Sequence, residues 1–212
     1  MKIACIDLEG VLIPELWPQI AQASGIEALS ITTREEPDYP ALMRWRIDHL
    51  RKNGLRLRDV QAMVVETRIY PEAVAFLQQL THHLGYRVHI VSDCFYELID
   101  ALLPALGSPE VFCHSLETDG DNWITGCAWA ERRGKEEHIS HLLNRGCHIL
   151  AVGDAFNDLA MLRLAHNGFL VRPSQATMRV AKDLTIVQDL SDIIETVGGG
   201  KPTTGGHVFR SV

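Results

Sequence analysis

The first apolar run is Ile3-Ala4-Cys5-Ile6, short and without alternation, the pattern of a strand buried on both faces. The period then changes to that of helices and stays there to about Leu80, with no convincing strand between. Residues 17–24 form one short helix broken at Gly25. Residues 40–52 form a second, with Pro40 in its first turn and Asn53-Gly54 as its stop. Residues 59–67 form a third, and residues 70–84 a fourth, opened by Pro71-Glu72 and closed by Gly85. Strand and helix alternate from there on. The pattern predicts strands at 87–92, 111–116, 148–152, 169–171 and 184–187, and helices at 95–106, 135–145, 156–165, 175–182 and 190–197. Asp119-Gly120-Asp121-Asn122 is a turn signal between extended segments and predicts a hairpin.

Strands separated by helices of this length predict an α/β fold: a Rossmann-like parallel sheet core with helices on both faces. The early helical stretch then becomes a cap inserted after the first strand, and the hairpin a small β appendage. Residues 1–14 and 71–197 are assigned to the core, 15–70 to the helical cap, and the glycine-rich 198–212 to a flexible tail. An insert rooted at the active edge of a sheet is placed to act as a lid.

Composition narrows the classes of partner. The 212-residue chain is long enough for a sizeable core. Its formal charge of −7 argues against nucleic acid, whose phosphates favour basic surfaces. No apolar run is long enough to cross a bilayer, and the first residues enter the strand directly, so neither a membrane nor a signal peptide is expected. Five cysteines with no Cys-x-x-Cys pair read as reduced thiols of a cytoplasmic protein. The ten histidines show no metal-ligand spacing; His82-His83 and His138/His141 read as surface residues.

The chemistry-bearing residues fall at predicted strand ends. Asp7 and Glu9 follow the first strand, with Gly10 after them. Two nearby acids repel unless a cation or a shared proton relieves them. Gly153-Asp154-Ala155-Phe156-Asn157-Asp158 follows the strand at 148–152, and adjacent parallel strands would bring Asp154 within a few ångströms of Asp7. Asp158 lies one turn later on the same side. Oxygen-only donors favour Mg²⁺ over zinc; taken alone Asp154 reads rather as a helix N-cap, and the pairing with Asp7-x-Glu9 turns that reading toward a metal ligand. Ser92 ends a strand and reads either as a phosphate ligand at a helix start or as a cap. Lys135 stands in the mixed run Glu131-Arg132-Arg133-Gly134-Lys135-Glu136-Glu137, which on its own is a solvated helix start.

In order, Asp-x-Glu-Gly-Val, Ser, Lys and Gly-Asp-x-x-Asn-Asp resemble the motif set of haloacid dehalogenase-superfamily phosphatases. Within that group the chain is similar to the phosphoserine phosphatases, and most of all to the bifunctional phosphoserine phosphatase/homoserine phosphotransferase branch, which also opens with Asp-Leu-Glu-Gly. The likeness spans residues 1 to about 195. It implies Asp7 as the nucleophile forming an aspartyl-phosphate and Glu9 as the general acid/base. It implies Mg²⁺ held by Asp7, the Glu9 carbonyl and Asp154, with Asp158 and Asn157 supporting that shell. Ser92 and Lys135 would neutralise the phosphoryl oxygens. The implied substrate is O-phospho-L-serine, the implied assembly a monomer or homodimer. Arg46, on the flank of the apolar stripe Met43, Ile47 and Leu50, stands where phosphoserine phosphatases hold the substrate carboxylate; otherwise it is a surface side chain whose stem covers apolar area. Glu15 would meet a substrate ammonium.

Two departures stand out. Most of the superfamily has Asp where Glu9 stands, and the extra methylene moves the carboxyl by roughly 1.5 Å. That keeps phosphoryl transfer to an alcohol such as homoserine open beside hydrolysis. Asp93-Cys94 replaces two glycines of many phosphoserine phosphatases, narrowing the pocket and adding a charge at Asp93. The competing readings are a phosphatase of another small metabolite, such as a sugar phosphate, and a non-catalytic phosphometabolite-binding protein on the same fold.

Overall fold

A computed structural model of the chain describes residues 1–199 except 34, 37 and 131–133. Among the described residues a seven-stranded sheet forms the centre, in the order β4-β3-β2-β1-β5-β6-β7. Its strands are β1 (Lys2–Ile6), β2 (Arg87–Phe95), β3 (Glu110–Thr118), β4 (Ile124–Ala128), β5 (His148–Gly153), β6 (Asn167–Val171) and β7 (Thr185–Val187). All neighbours pair in parallel except β3 and β4, the expected hairpin, which pairs Ser115 with Ala128.

β1 is central because every one of its residues after Lys2 is buried, so neither face needs polar side chains. Successive residues alternate between two cores. Ala4 and Ile6 pack with α1 (Leu16–Ser24), α4 (Pro71–Gln78) and the last described helix (Leu190–Val197) on one side. Ile3 and Cys5 pack with α6 (Glu136–Asn144) and α7 (Leu159–Leu164) on the other. Helices therefore cover both faces. The chain runs from β1 outward through β2 and β3, then returns to β5 and runs the other way. The reversal lies between β1 and β5, and in open α/β sheets ligands bind at such a switch point, beyond the carboxyl ends of the strands.

Between β1 and β2 the described residues are helical: α1, α2 (Tyr39–Lys52), α3 (Leu57–Val64) and α4. α2 begins as the sequence requires, with the Asp38 carboxylate accepting from Ala41 N and proline in the first turn. The hairpin tip caps α3: Asn122 offers its carbonyl to Leu57 N at 3.0 Å and its side-chain oxygen to Arg58 N at 2.9 Å.

Several elements differ from the expected pattern. The helix expected at 95–106 is a short α5 (Tyr96–Ile99) followed by a 3₁₀ turn at Asp100–Leu106, because Pro104 inside it cannot donate an α-type bond. The helix expected at 70–84 ends in a π turn at Gln79–His83. That at 156–165 starts as the 3₁₀ turn Phe156–Asp158 before α7. β2 runs on to Phe95 rather than ending at Ser92. Its pairing with β3 shifts between Val91 and Phe95, so Ser92 and Asp93 lie in a bulge inside the strand. The tail from residue 200 and the charged residues 131–133 lie outside the described residues. No helix among the described residues is long and apolar enough to cross a membrane.

Candidate active site

Three strand ends and one helix start meet at the switch point. β1 and β5 pair up to Ile6 and Val152, and Asp7 N still bonds Val152 O at 2.9 Å, so Asp7 and the segment after β5 emerge side by side. The loop after Asp7 turns sharply: Leu12 N and Ile13 N both bond Leu8 O, and Gly10 N bonds Ile13 O. Gly10 sits at φ +77°, and a β-carbon there would fall 2.3 Å from the Asp154 Oδ2. Only glycine lets the two acidic loops approach this closely.

Asp7, Asp154 and Asp158 each offer a carboxylate oxygen within 4.8 Å of the others. Asp158 is completely buried. Its Oδ2 accepts from Asp154 N and Ala155 N, both at 3.0 Å, which fixes the loop after β5. Its Oδ1 accepts from Lys135 Nζ at 2.7 Å. The same ammonium lies 3.0 Å from Asp7 Oδ1 and 3.7 Å from Asp93 Oδ2. Lys135 is 2% exposed, so the solvated helix start expected from its charged surroundings is not what forms. Burial works against its charge, and Asp158, Asp7 and Asp93 more than reverse that, holding it firmly protonated.

One ammonium cannot satisfy four carboxylates. Burial pushes Asp7 well above the usual carboxylate range, with Asp158, Asp154 and Asp93 adding to it against Lys135. Burial and Asp158 push Asp154 up to about 7. The surplus of buried negative charge, made of oxygen donors alone, fits a hard divalent cation.

Glu9 is half-buried two residues on, its Oε1 accepting from Leu16 N at 2.7 Å. Burial, with Glu15 adding to it, raises Glu9 to about 7, where a carboxyl can both give and take a proton at neutral pH. Glu15 stands exposed at the N-cap of α1. Ser92 is buried in the bulged stretch of β2. The Asp93 carboxylate is spoken for: burial pushes it up, but Lys135, His114 and Asn157 pull it well below its ordinary value. Asn157 donates its amide to Asp93 Oδ2, and His114 Nε2 lies 3.7 Å from Oδ1. The charge introduced at Asp93 is thus compensated within the chain.

Arg46 is 3% exposed, so it is no surface side chain covering apolar area. Its guanidinium stacks 4.3 Å over the Trp17 ring, and Nη2 donates to Ile31 O at 2.7 Å. Its Nε–H is buried and has no partner among the described residues, an unmet donor on a cation. Burial lowers Arg46 to about 10, opposed by Tyr39, Glu9 and Glu15.

Sequence reasoning missed three neighbours of the site. The Tyr39 hydroxyl donates to Asp93 O at 2.8 Å and ties α2 to the bulged stretch of β2. His114 stands behind Asp93 and accepts from Ala130 N. Neither leaves a local signal, since both contacts join distant elements. Arg172 does leave one: it is the first residue after β6, at the carboxyl edge where Asp7 and Asp154 also lie. At φ +45° it reaches Gly10 O and Val11 O, at 3.5 and 3.3 Å, and Glu72 at 3.1 Å.

Residues 1–166 match the sequence family described as haloacid dehalogenase-like hydrolase. The chain belongs to that family. This hydrolase is 36% identical to phosphoserine phosphatase ThrH of Pseudomonas aeruginosa over 193 residues, 91% of this chain and 93% of the relative. It is 37% identical to a phosphoserine phosphatase of Pseudomonas syringae pv. tomato, over 84% of this chain and 75% of the relative. Its fold matches the crystal structure of phosphoserine phosphatase from T. onnurineus with a TM-score of 0.73 at 24% identity, covering 94% of this chain and 96% of the other.

Proposed function

We propose that this hydrolase is a phosphomonoesterase of O-phospho-L-serine, working through a phosphoryl group held covalently on Asp7. The observation behind this reading is the meeting of Asp7, Lys135, Asp154 and Asp158 at one strand edge, in a chain with curated relatives that are phosphoserine phosphatases.

The Asp7 oxygen not engaged by Lys135 attacks phosphorus in line with the departing serine oxygen. Lys135 and Ser92 draw negative charge off the equatorial oxygens of the transferring group. Glu9 delivers its proton to the serine alkoxide as the P–O bond breaks, then removes a proton from the water that opens the aspartyl-phosphate. Mg²⁺ is the cation for which Asp7, the Glu9 carbonyl, Asp154 and Asp158 are suited, with Asn157 supporting them, and when bound it supplies positive charge beside the phosphoryl oxygens. Arg46 receives the substrate carboxylate on its unmet Nε–H, and Glu15 faces the ammonium. The segment 15–70 acts as a cap that positions Arg46 and Glu15 over the core formed by 1–14 and 71–197.

Glu9 also favours a second outcome. Its longer side chain is bonded to Leu16 N, at the root of the cap, and so faces whatever alcohol the cap admits. Homoserine in place of water at the second step would yield phosphohomoserine.

Phosphate release from phosphoserine in the presence of Mg²⁺, and its loss in Asp7→Asn, tests the reading. An Asp7→Asn variant with unchanged turnover ends the nucleophile assignment. Repeating the assay with added homoserine tests transfer, read as phosphohomoserine formed.

A further inference from the structure

On the face of the sheet away from the cap, Cys5, His89 and His138 meet. The sequence offered no ligand spacing for them, because they come from β1, β2 and α6. His138, expected at the surface, is half-buried: its ring lies 3.7 Å from that of Phe112. Cys5 and His89 are paired residues on adjacent parallel strands, both buried, so their side chains leave the sheet together. α6 lays His138 across them. One thiol sulfur and one nitrogen from each ring lie within 4.8 Å of one another.

We propose that these three side chains form a zinc site. His89 Nδ1 and His138 Nε2 are 3.1 Å apart. Two nitrogens at about 2.0–2.1 Å from a tetrahedral zinc are about 3.3 Å from each other, close to the spacing of this pair. The far side of His89 is already arranged for ligation. Its Nε2 faces Glu110 Oε2 at 3.4 Å, and Arg87 pairs with the other oxygen of that carboxylate. A carboxylate behind a histidine fixes the tautomer, leaving Nδ1 with its lone pair toward the ion. Thiolate with imidazole is a soft donor set that takes zinc and passes over magnesium, the reverse of the oxygen-only cluster at the strand ends. Three protein ligands leave a fourth position for water. On binding, the Cys5 thiol gives up its proton to solvent, and His138 shifts its N–H from Nε2 to Nδ1.

The placement gives the ion a structural task. Cys5 precedes Asp7 by two residues on the same side of β1, about 7 Å along the strand. His138 follows Lys135 by three, one turn along α6. Zinc there would fasten the strand that presents Asp7 to the helix that presents Lys135.

The test uses the full chain without an affinity tag, in excess Mg²⁺, titrated with Co²⁺ as a spectroscopic stand-in and with Zn²⁺. The expected result is one equivalent bound, a thiolate-to-cobalt charge-transfer band, visible bands of tetrahedral cobalt, and a higher melting temperature with zinc. Cys5→Ala and His138→Ala should each lose the band, and Asp154→Asn should keep it. His138→Ala guards against a folding defect at the more deeply buried Cys5. Glu110→Gln should keep the band and weaken zinc binding about 10–100-fold. Absence of the band, its survival in Cys5→Ala, or its loss in Asp154→Asn overturns the proposal.

Discussion

Replacing Lys135 with methionine removes a charge from the centre of the site and nearly preserves its volume. The ammonium lies 2.7 Å from Asp158 and 3.0 Å from Asp7 and is shielded from water. At an effective dielectric constant of about 20, each contact is attractive by about 5–6 kcal/mol. Dehydration of the ions takes back most of that. What remains on removing one partner of a buried pair is a loss of about 3–5 kcal/mol, because the other charges stay behind uncompensated. At roughly 2–4 °C per kcal/mol for a chain of this size, the melting temperature should fall by roughly 6–20 °C. Added Mg²⁺ should recover part of the loss, since the abandoned carboxylates are those proposed to bind it. Turnover should fall separately, by about 10²–10³ in kcat, the cost of losing one preorganised charge donor. Thermal melts with and without Mg²⁺, beside phosphate release, read all three effects. A variant melting within about 1 °C of the parent with unchanged kcat would refute the reasoning.

Other substitutions probe other parts of the site. Gly10→Ala must hold alanine at φ +77° with its β-carbon against Asp154. It should cost at least about 1–2 kcal/mol in denaturant unfolding and raise the Mg²⁺ concentration needed for half-maximal rate. Arg46→Ala should lower kcat/KM for phosphoserine by about 10²-fold, the value of a charged hydrogen bond near the upper end of the usual range. The same variant should leave a simple aryl phosphate, which has no carboxylate, nearly unaffected. Tyr39→Phe deletes the bond to Asp93 O and should lower kcat/KM for phosphoserine about two- to tenfold.

The parts of this molecule that follow a local rule could be read from the chain. β1 and β5 announce themselves as unbroken apolar runs, and the residue after each is an acid, so Asp7 and Asp154 could be set side by side from sequence. α2 carries its own start and stop signals. Other features depend on partners far away in the chain. Lys135 looks solvated among its charged neighbours, and only the approach of Asp7 and Asp158 makes its burial tolerable. Asp93 looks like an added charge until His114 and Asn157 close on it. The Cys5, His89 and His138 cluster has no spacing at all, because sheet register rather than sequence distance assembles it. Pro104 was a legible breaker, and Arg172 a legible strand-end residue; both obey rules applied elsewhere in the chain.

The central claim is that the phosphoryl group passes through Asp7. Acid-quenching the enzyme with radiolabelled phosphoserine during turnover, then mapping the labelled peptide, measures this directly. The account predicts label on Asp7, in the peptide that carries it, absent in Asp7→Asn. Label on any other residue, or steady turnover with no phosphoenzyme and full activity in Asp7→Asn, would contradict it.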